Sequence, residues 1–250
     1  MKNNAVLRIS LFYLTAIGLS NIFRLQLFGL NEIAEKLPTW VLMLTSPLQA
    51  IGVMLGALLS LFLLRKKRKL AYSLWGSSAK WSSIMVIIPI ALLAIIGVRN
   101  SDGTNIHYFA LISSLPTLIY CYFEEIGWRG YLNDELQSLK QWQRTLIIGF
   151  LWYVWHLVFI TNHSIPGNLI PLIILTLGSW LLGEIIDLTK SIAVVAIFHM
   201  MINMMLDNPY LKEALTMSEK LVVTGVTLIA WLIIFFKWRK ELLVVVDHKL

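Results

Sequence analysis

Two adjacent carboxylates and an arginine end an apolar stretch of the chain, at Glu124, Glu125 and Arg129. An ionisable side chain at bilayer depth costs about 2.5–3.5 kcal/mol on insertion scales, so such a residue marks a functional site by default. Glu125 and Arg129 are four residues apart and share one face of a helix, which predicts an ion pair that fixes the orientation of Glu125. Glu124 points about 100° away from Glu125 and is therefore the acid available for chemistry.

Two further polar pairs interrupt later apolar stretches, each at a separation of four residues. Trp152 and His156 form the first pair, and His199 and Asn203 form the second. Taken alone, each pair has a simpler interpretation, because histidine and asparagine commonly join membrane helices through hydrogen bonds. Considered together with the acidic pair, they supply a carboxylate, two imidazoles and an amide on three separate helices.

The composition indicates the setting of these groups. Of 250 residues, 58% are hydrophobic and 14% are charged, and the mean hydropathy is +0.73. These values are typical of a polytopic membrane protein, and we predict an all-α helical bundle with about eight transmembrane helices, folded as a single integral membrane domain over residues 1–250. The predicted spans are residues 6–30, 40–64, 81–98, 108–123, 145–160, 169–186, 192–206 and 221–236. The fifth and seventh are short enough to need protein around them.

Orientation follows from five consecutive cations at residues 65–69, directly after the second predicted span. The positive-inside rule places this segment, and with it both termini, in the cytoplasm. The net charge of +7 is therefore a signal of topology and lipid headgroup contact, and no nucleic-acid partner is predicted. The single cysteine, Cys121, lies within a predicted span and rules out an intrachain disulfide.

The three constellations are predicted to lie at similar depths. Counted from the basic ends of their helices at 1.5 Å per residue, Glu124, His199 and His156 lie about 9, 14 and 18 Å into the membrane. This arrangement predicts an active site within the membrane near the cytoplasmic side.

Such a set of groups is suited to hydrolysis of a peptide bond. Glu124 would act as the base that deprotonates water and His156 would position the same water, while His199 and Asn203 would face the carbonyl oxygen. A second arrangement uses the same atoms, because Glu124, His156 and His199 could ligate Zn²⁺ or another divalent metal and activate a bound water. The residues leave both mechanisms open.

At this point the chain resembles the CPBP family of intramembrane proteases, named for CAAX proteases and bacteriocin-processing proteins and also called Abi. The resemblance lies in three ordered motifs within residues 111–206, which would form the catalytic core. They are EExxxR at Glu124, Glu125 and Arg129, FxxxH at Trp152 and His156, and HxxxN at His199 and Asn203. Trp152 departs from the phenylalanine that is usual at its position, an exchange of one aromatic residue for another.

The resemblance implies an intramembrane endopeptidase with a cavity open toward the cytoplasm and the membrane. Glu124 would activate water, and His199 and Asn203 would form the oxyanion hole; family members are described both as metalloproteases and as metal-independent glutamate proteases. We expect a peptide or a membrane protein as substrate in a bacterial plasma membrane, and we do not expect the CAAX reaction itself. The alternatives are a non-catalytic immunity or scaffold protein of the same fold and, less favoured because paired halves are lacking, a proton-coupled transporter.

Overall fold

The structure is a computed structural model that describes residues 3–37, 39–64, 70–100, 103–160, 164–206 and 214–247. The basic segment 65–69 and two histidines, His163 and His248, lie outside these ranges. Within them the chain forms helices and no β-strand, which confirms the predicted all-α class. The helices are α1 (Asn3–Arg24), α2 (Leu30–Ala34), α3 (Thr39–Thr45), α4 (Ile51–Leu63), α5 (Ala79–Ile96), α6 (Ile106–Glu125), α7 (Asn133–Glu135), α8 (Gln141–His156), α9 (Ile165–Thr189), α10 (Ile192–Leu206) and α11 (Met217–Asp247).

The helices correspond to the eight predicted spans, and the chain is a multi-pass membrane protein. Six helical segments of the described chain are long and apolar enough to cross a membrane: Ala5–Arg24, Val41–Leu63, Ala79–Ile96, Ile106–Glu135, Ile165–Thr189 and Met217–Glu241. The remaining two are α8 and α10, with 16 and 15 residues. As predicted, the second of these short helices is surrounded by protein, whereas α8 packs mainly against α9 and keeps Leu146 and Phe150 exposed. α10 packs against α5, α6 and α9, and residues 193–197 have no exposed surface.

The acidic motif lies where the fourth span changes its helical type. α6 begins at Asn105, whose side chain accepts hydrogen bonds from the backbone N–H groups of His107 and Tyr108. After Glu125 the chain continues as a π-helical segment, Ile126–Leu132, that leads into α7. Such π-helical insertions occur frequently at functional sites.

Neighbouring helices shelter this π-helical segment. Trp128, Arg129 and Tyr131 are almost fully buried, and a Cβ atom on Gly127 would overlap the side chain of Val53 in α4. Only glycine therefore allows α4 to approach this closely, and the close approach permits the span to run on past Arg129 within a membrane.

One end of the bundle carries a polar network that joins α1, α7, α8 and α9, and we call it the basic end. Arg8 pairs with Glu135 at 2.9 Å, and Arg144 pairs with Asp187 at 2.9 Å. Tyr72, in the connection before α5, donates to Asp187 at 2.6 Å. Burial and this hydrogen bond raise the pKa of Tyr72 to about 12, so the phenol is neutral and acts as the donor. The network holds two helix ends in place: α7, which follows Glu124 in the chain, and the first turn of α8, which precedes His156.

The opposite end, which we call the far end, contains the connections at residues 25–37, 97–105 and 157–160 together with the start of α11. Arg99 donates to Glu219 at 2.6 Å and joins the α5–α6 connection to α11. Because the helices alternate in direction between these two ends, α6 runs from the far end toward the basic end, whereas α8 and α10 run toward the far end.

Candidate active site

Trp152 lies at the centre of the site and contacts residues of all three motifs. Its indole Nε1–H donates to Glu124 Oε2 at 2.7 Å. Its ring meets the rings of His156 and His199 edge to face, with centroids 5.4 and 5.3 Å away. The guanidinium of Arg129 lies over it, with Cζ 4.2 Å from the ring centre. The structure therefore brings Glu124, Arg129, His156 and His199 around one indole ring.

Glu125 is held by two partners at one oxygen. Its Oε1 accepts from Arg129 Nη1 at 2.9 Å, which is the pairing predicted from their spacing, and it also lies 2.8 Å from His199 Nδ1. The spacing of residues within α6 could not reveal the second contact, because it depends on how α10 is rotated against α6. His199 therefore bonds to the braced acid, Glu125, a contact that the sequence did not predict.

The hydrogen bonds of the two imidazoles fix which nitrogen is available. His156 Nδ1 lies 2.9 Å from the carbonyl oxygen of Trp152. A carbonyl only accepts, so Nδ1 carries the hydrogen and the Nε2 of a neutral ring carries a lone pair. His199 likewise has its Nδ1 at a carboxylate, which directs its Nε2 away from Glu125. Both rings thus present Nε2 as the nitrogen free for chemistry.

Glu124 is fully buried and only partly satisfied. Its Oε2 accepts from Trp152, while its Oε1 finds no hydrogen-bond partner in the described part of the chain. It interacts electrostatically with His156 and His199, and with Tyr120, one helical turn earlier. A buried carboxylate oxygen without a donor is costly, which makes it a place where a water or a substrate group would bind.

A large cavity of about 1,440 Å³ lies against these groups. Trp152, His156, His199 and Asn203 all line it, together with Tyr120. Glu124 does not line the cavity, because Trp152 and Tyr120 lie between its carboxylate and the cavity. Most of the remaining wall is apolar. The volume exceeds the roughly 300–1,000 Å³ of a typical small-molecule pocket, so an extended peptide can be accommodated.

Asn203 projects its amide toward this cavity from the last turn of α10. Its Nδ2 lies 3.7 Å from the sulfur of Cys121, and a thiol sulfur is a weak acceptor. The amide is therefore held loosely and can turn to a stronger acceptor, such as the oxygen of a substrate carbonyl.

The sequence interpretation missed Arg24, at the end of α1. Its Nη1 donates to the carbonyl oxygen of Trp155 at 2.7 Å, in the last turn of α8, where carbonyls lack helical partners. The guanidinium lies over the rings of Trp155 and Phe159, and these two rings flank His156, with centroids 4.8 and 6.1 Å away. The signal available in the sequence was a single charge inside an apolar stretch, the same kind of signal that drew attention to Glu124.

The structure places Glu124 deeper in the bundle than predicted. The helix that carries Glu124 does not end near Gly130 but continues to Glu135, so Glu124 lies 11 residues, or about 16 Å, from the basic end and 18 residues from Ile106 at the far end. His199 lies midway along α10, and His156 is the last residue of α8. The cluster therefore extends from the middle of the bundle toward the far end, and its position relative to the cytoplasm stays a prediction.

The three predicted metal ligands do not stand close together in this arrangement. Throughout the described ranges, no group of three or more His, Cys, Asp or Glu side chains stands close enough to hold a metal ion. Protein contacts engage the Nδ1 atoms of His156 and His199 and the Oε2 of Glu124, and they leave the Nε2 atoms through which histidine can ligate a metal. The metal therefore stays a prediction, and no step below passes through one.

These features define an all-helical, multi-pass membrane protein with a buried site of glutamate, histidine and asparagine beside a large cavity. Residues 106–205 match the family described as type II CAAX prenyl endopeptidase Rce1-like. The chain is also similar to CAAX prenyl protease 2 of Methanococcus maripaludis, with 36% identity over 121 residues. That alignment covers 44% of this chain and 43% of the relative, so it spans less than half of either protein. Both matches confirm the resemblance of residues 106–205 to the CPBP family of CAAX protease-like proteins.

Proposed function

We propose that this protein is an intramembrane endopeptidase that hydrolyses a peptide bond of a peptide or membrane protein bound in the cavity. The observation that carries the proposal is the convergence of His156, His199 and Asn203 on one cavity wall, with the partly unsatisfied carboxylate of Glu124 directly behind it. The similarity of residues 106–205 to type II CAAX prenyl endopeptidases supports the same class of reaction.

Glu124 acts as the general base in the proposed reaction. A water molecule donates one hydrogen bond to Glu124 Oε1 and another to His156 Nε2, the two acceptors left free by the existing hydrogen bonds. Glu124 takes a proton from this water while the oxygen of the water forms a bond to the carbonyl carbon of the substrate. The carbonyl π bond breaks at the same time, and its electron pair moves to the oxygen.

The amide of Asn203 and the Nε2 of His199 face the resulting oxyanion. The amide donates directly, and His199 donates when its ring is doubly protonated, with Glu125 holding Nδ1 and Arg129 balancing the charge of Glu125. Glu124 then returns its proton to the amide nitrogen as the C–N bond breaks. A carboxyl and an amine leave, and the site is restored.

Cleavage by the purified protein in liposomes tests this proposal. The probes are internally quenched peptides with and without a prenylated CAAX end, and a reporter membrane protein. Wild type is compared with His156→Ala and with a matched control, His107→Ala, whose imidazole also has its Nδ1 at a backbone carbonyl but lies at the start of α6. We expect cleavage by wild type and the control, and a loss of roughly 10²-fold or more in His156→Ala.

The same assay separates the rival functions. An immunity or scaffold protein of this fold would bind a peptide without cleaving it, so binding with unchanged peptide mass in all three proteins would refute the proposed function. A proton-coupled transporter would instead acidify or alkalinise the liposome lumen when peptide is added.

A further inference from the structure

The mouth of the cavity is formed by connections at the far end of the bundle. Ile33 and Glu35, in and after α2, line it and are exposed to the surroundings. Phe159 and Ile160, which follow α8, line it as well. All four residues come after helices that run from the basic end to the far end, so the entrance lies at the far end.

The site is closed toward the basic end. The π-helical segment and the residues after it fill the bundle there, because Trp128, Arg129, Tyr131, Leu132 and Leu136 each expose 2% of their surface or less. Beyond them, the network around Tyr72, Asp187 and Arg144 ties the connections together. A peptide therefore has no path from the basic end to His156.

The charges distinguish the two ends. In the sequence, the five consecutive cations at residues 65–69 come between α4 and α5, and the described ends of both helices lie at the basic end. The described cations at this end are Arg8, Lys80, Lys140, Arg144, Lys190, Lys237, Arg239 and Lys240. Contacts between α5 and the end of α11 place the last three there, since Glu241 accepts from the indole of Trp81. At the far end the described cations are fewer: Arg24, Lys36, Arg99 and Lys220. Arg99 is paired with Glu219, and Arg24 is packed against aromatic rings. The positive-inside rule therefore makes the basic end cytoplasmic.

We propose that the cavity opens to the extracytoplasmic side and receives from there a largely apolar peptide segment with a neutral or basic flank. The peptide is either an exported peptide or an extracytoplasmic segment of a membrane protein. Its chemistry follows from the wall: the described lining contains no lysine or arginine, and the carboxylate of Glu35 lies at the mouth. The inference that this peptide is cleaved rests on the proposed function, whereas the inference that the cavity opens to the extracytoplasmic side does not.

Labelling of introduced cysteines tests the orientation. The native Cys121 is buried, so the unmodified chain serves as the blank for a membrane-impermeant polyethylene-glycol maleimide. Ile33→Cys reports the mouth of the cavity, and Lys140→Cys, also exposed, reports the basic end. We expect Ile33→Cys to be labelled in intact cells that express the full chain, and Lys140→Cys to be labelled only in inside-out vesicles. The reverse pattern would overturn the inference.

Cleavage after labelling tests the entry route. Both modified proteins are reconstituted and assayed with the internally quenched peptides. The bulky polymer on Ile33→Cys should reduce cleavage about tenfold or more, because it blocks the mouth, and the polymer on Lys140→Cys should leave the rate unchanged. Equal rates in the two labelled proteins would overturn the entry route. If unlabelled wild type cleaves nothing, the proposed function fails, while the labelling pattern still decides which side the cavity faces.

Discussion

Replacement of Trp152 by phenylalanine tests the central contact of the site. Phenylalanine is the residue usual at this position in the family motif, and it keeps a ring between the two histidines. It removes the Nε1–H that Glu124 Oε2 accepts at 2.7 Å, from a fully buried carboxylate whose Oε1 has no hydrogen-bond partner in the described chain. A hydrogen bond to a charged group contributes about 1.5–3 kcal/mol. We therefore expect the free energy of unfolding to fall by that amount.

Trp155→Phe is the matched control, since it removes the same atoms from the same helix. The indole of Trp155 donates to the neutral carbonyl of Ala16 over a longer distance, 3.4 Å. The loss there should be at most about 0.5–1.5 kcal/mol. Reversible unfolding of each purified variant in mixed detergent micelles, followed by far-ultraviolet circular dichroism, gives both free energies.

A double-mutant cycle separates the contact with Glu124 from the change in packing. In a Glu124→Gln background the acceptor is neutral, so Trp152→Phe should cost about 1 kcal/mol less than it does in wild type. The reasoning is refuted if the two tryptophan variants lose the same stability, or if the cost of Trp152→Phe is independent of the charge on residue 124.

Four further perturbations follow from the geometry. Asn203→Ala should lower kcat by about 10²–10³-fold with little change in KM, because it removes an oxyanion donor; a change confined to KM in steady-state assays would contradict this role. Arg129→Met should lower the free energy of unfolding by about 3–5 kcal/mol, because Glu125 loses its counter-ion, and by more than Arg8→Met, whose ion pair is partly exposed; equal losses would argue against the buried pair. Arg24→Met should lower kcat by about 10- to 100-fold with KM nearly constant, and Arg24→Lys should recover part of it; unchanged kcat would show that the end of α8 needs no such support. Treatment with a metal chelator should leave kcat unchanged, and inhibition reversed by Zn²⁺ would contradict the metal-free reaction.

The sequence predicts contacts that lie within one helix. Glu125 and Arg129 pair as their spacing requires, and Trp152 contacts His156 one turn away edge to face. Both contacts follow from helical geometry alone, which is why they could be predicted without knowledge of the fold. The order of the motifs along the chain likewise indicated that three helices would meet.

Contacts between helices could not be predicted in the same way. The bond from His199 to Glu125, and not to Glu124, depends on the rotation of α10, and the capping of α8 by Arg24 depends on the position of α1. The depth of the site depended on where helices end. The span with Glu124 continues through a π-helical segment that hydropathy does not reveal, because its arginine is paired with Glu125 of the same span and its side chains are buried by neighbouring helices.

The measurement that tests the central claim most directly is the rate of peptide cleavage by reconstituted Glu124→Gln. Its control is Glu184→Gln, which changes an acid that accepts from Gln141 at the basic end, away from the cavity. We predict that Glu124→Gln lowers kcat by about 10²–10⁴-fold, the contribution typical of a general base, while Glu184→Gln cleaves at the wild-type rate. Wild-type cleavage by a folded Glu124→Gln protein would contradict the account.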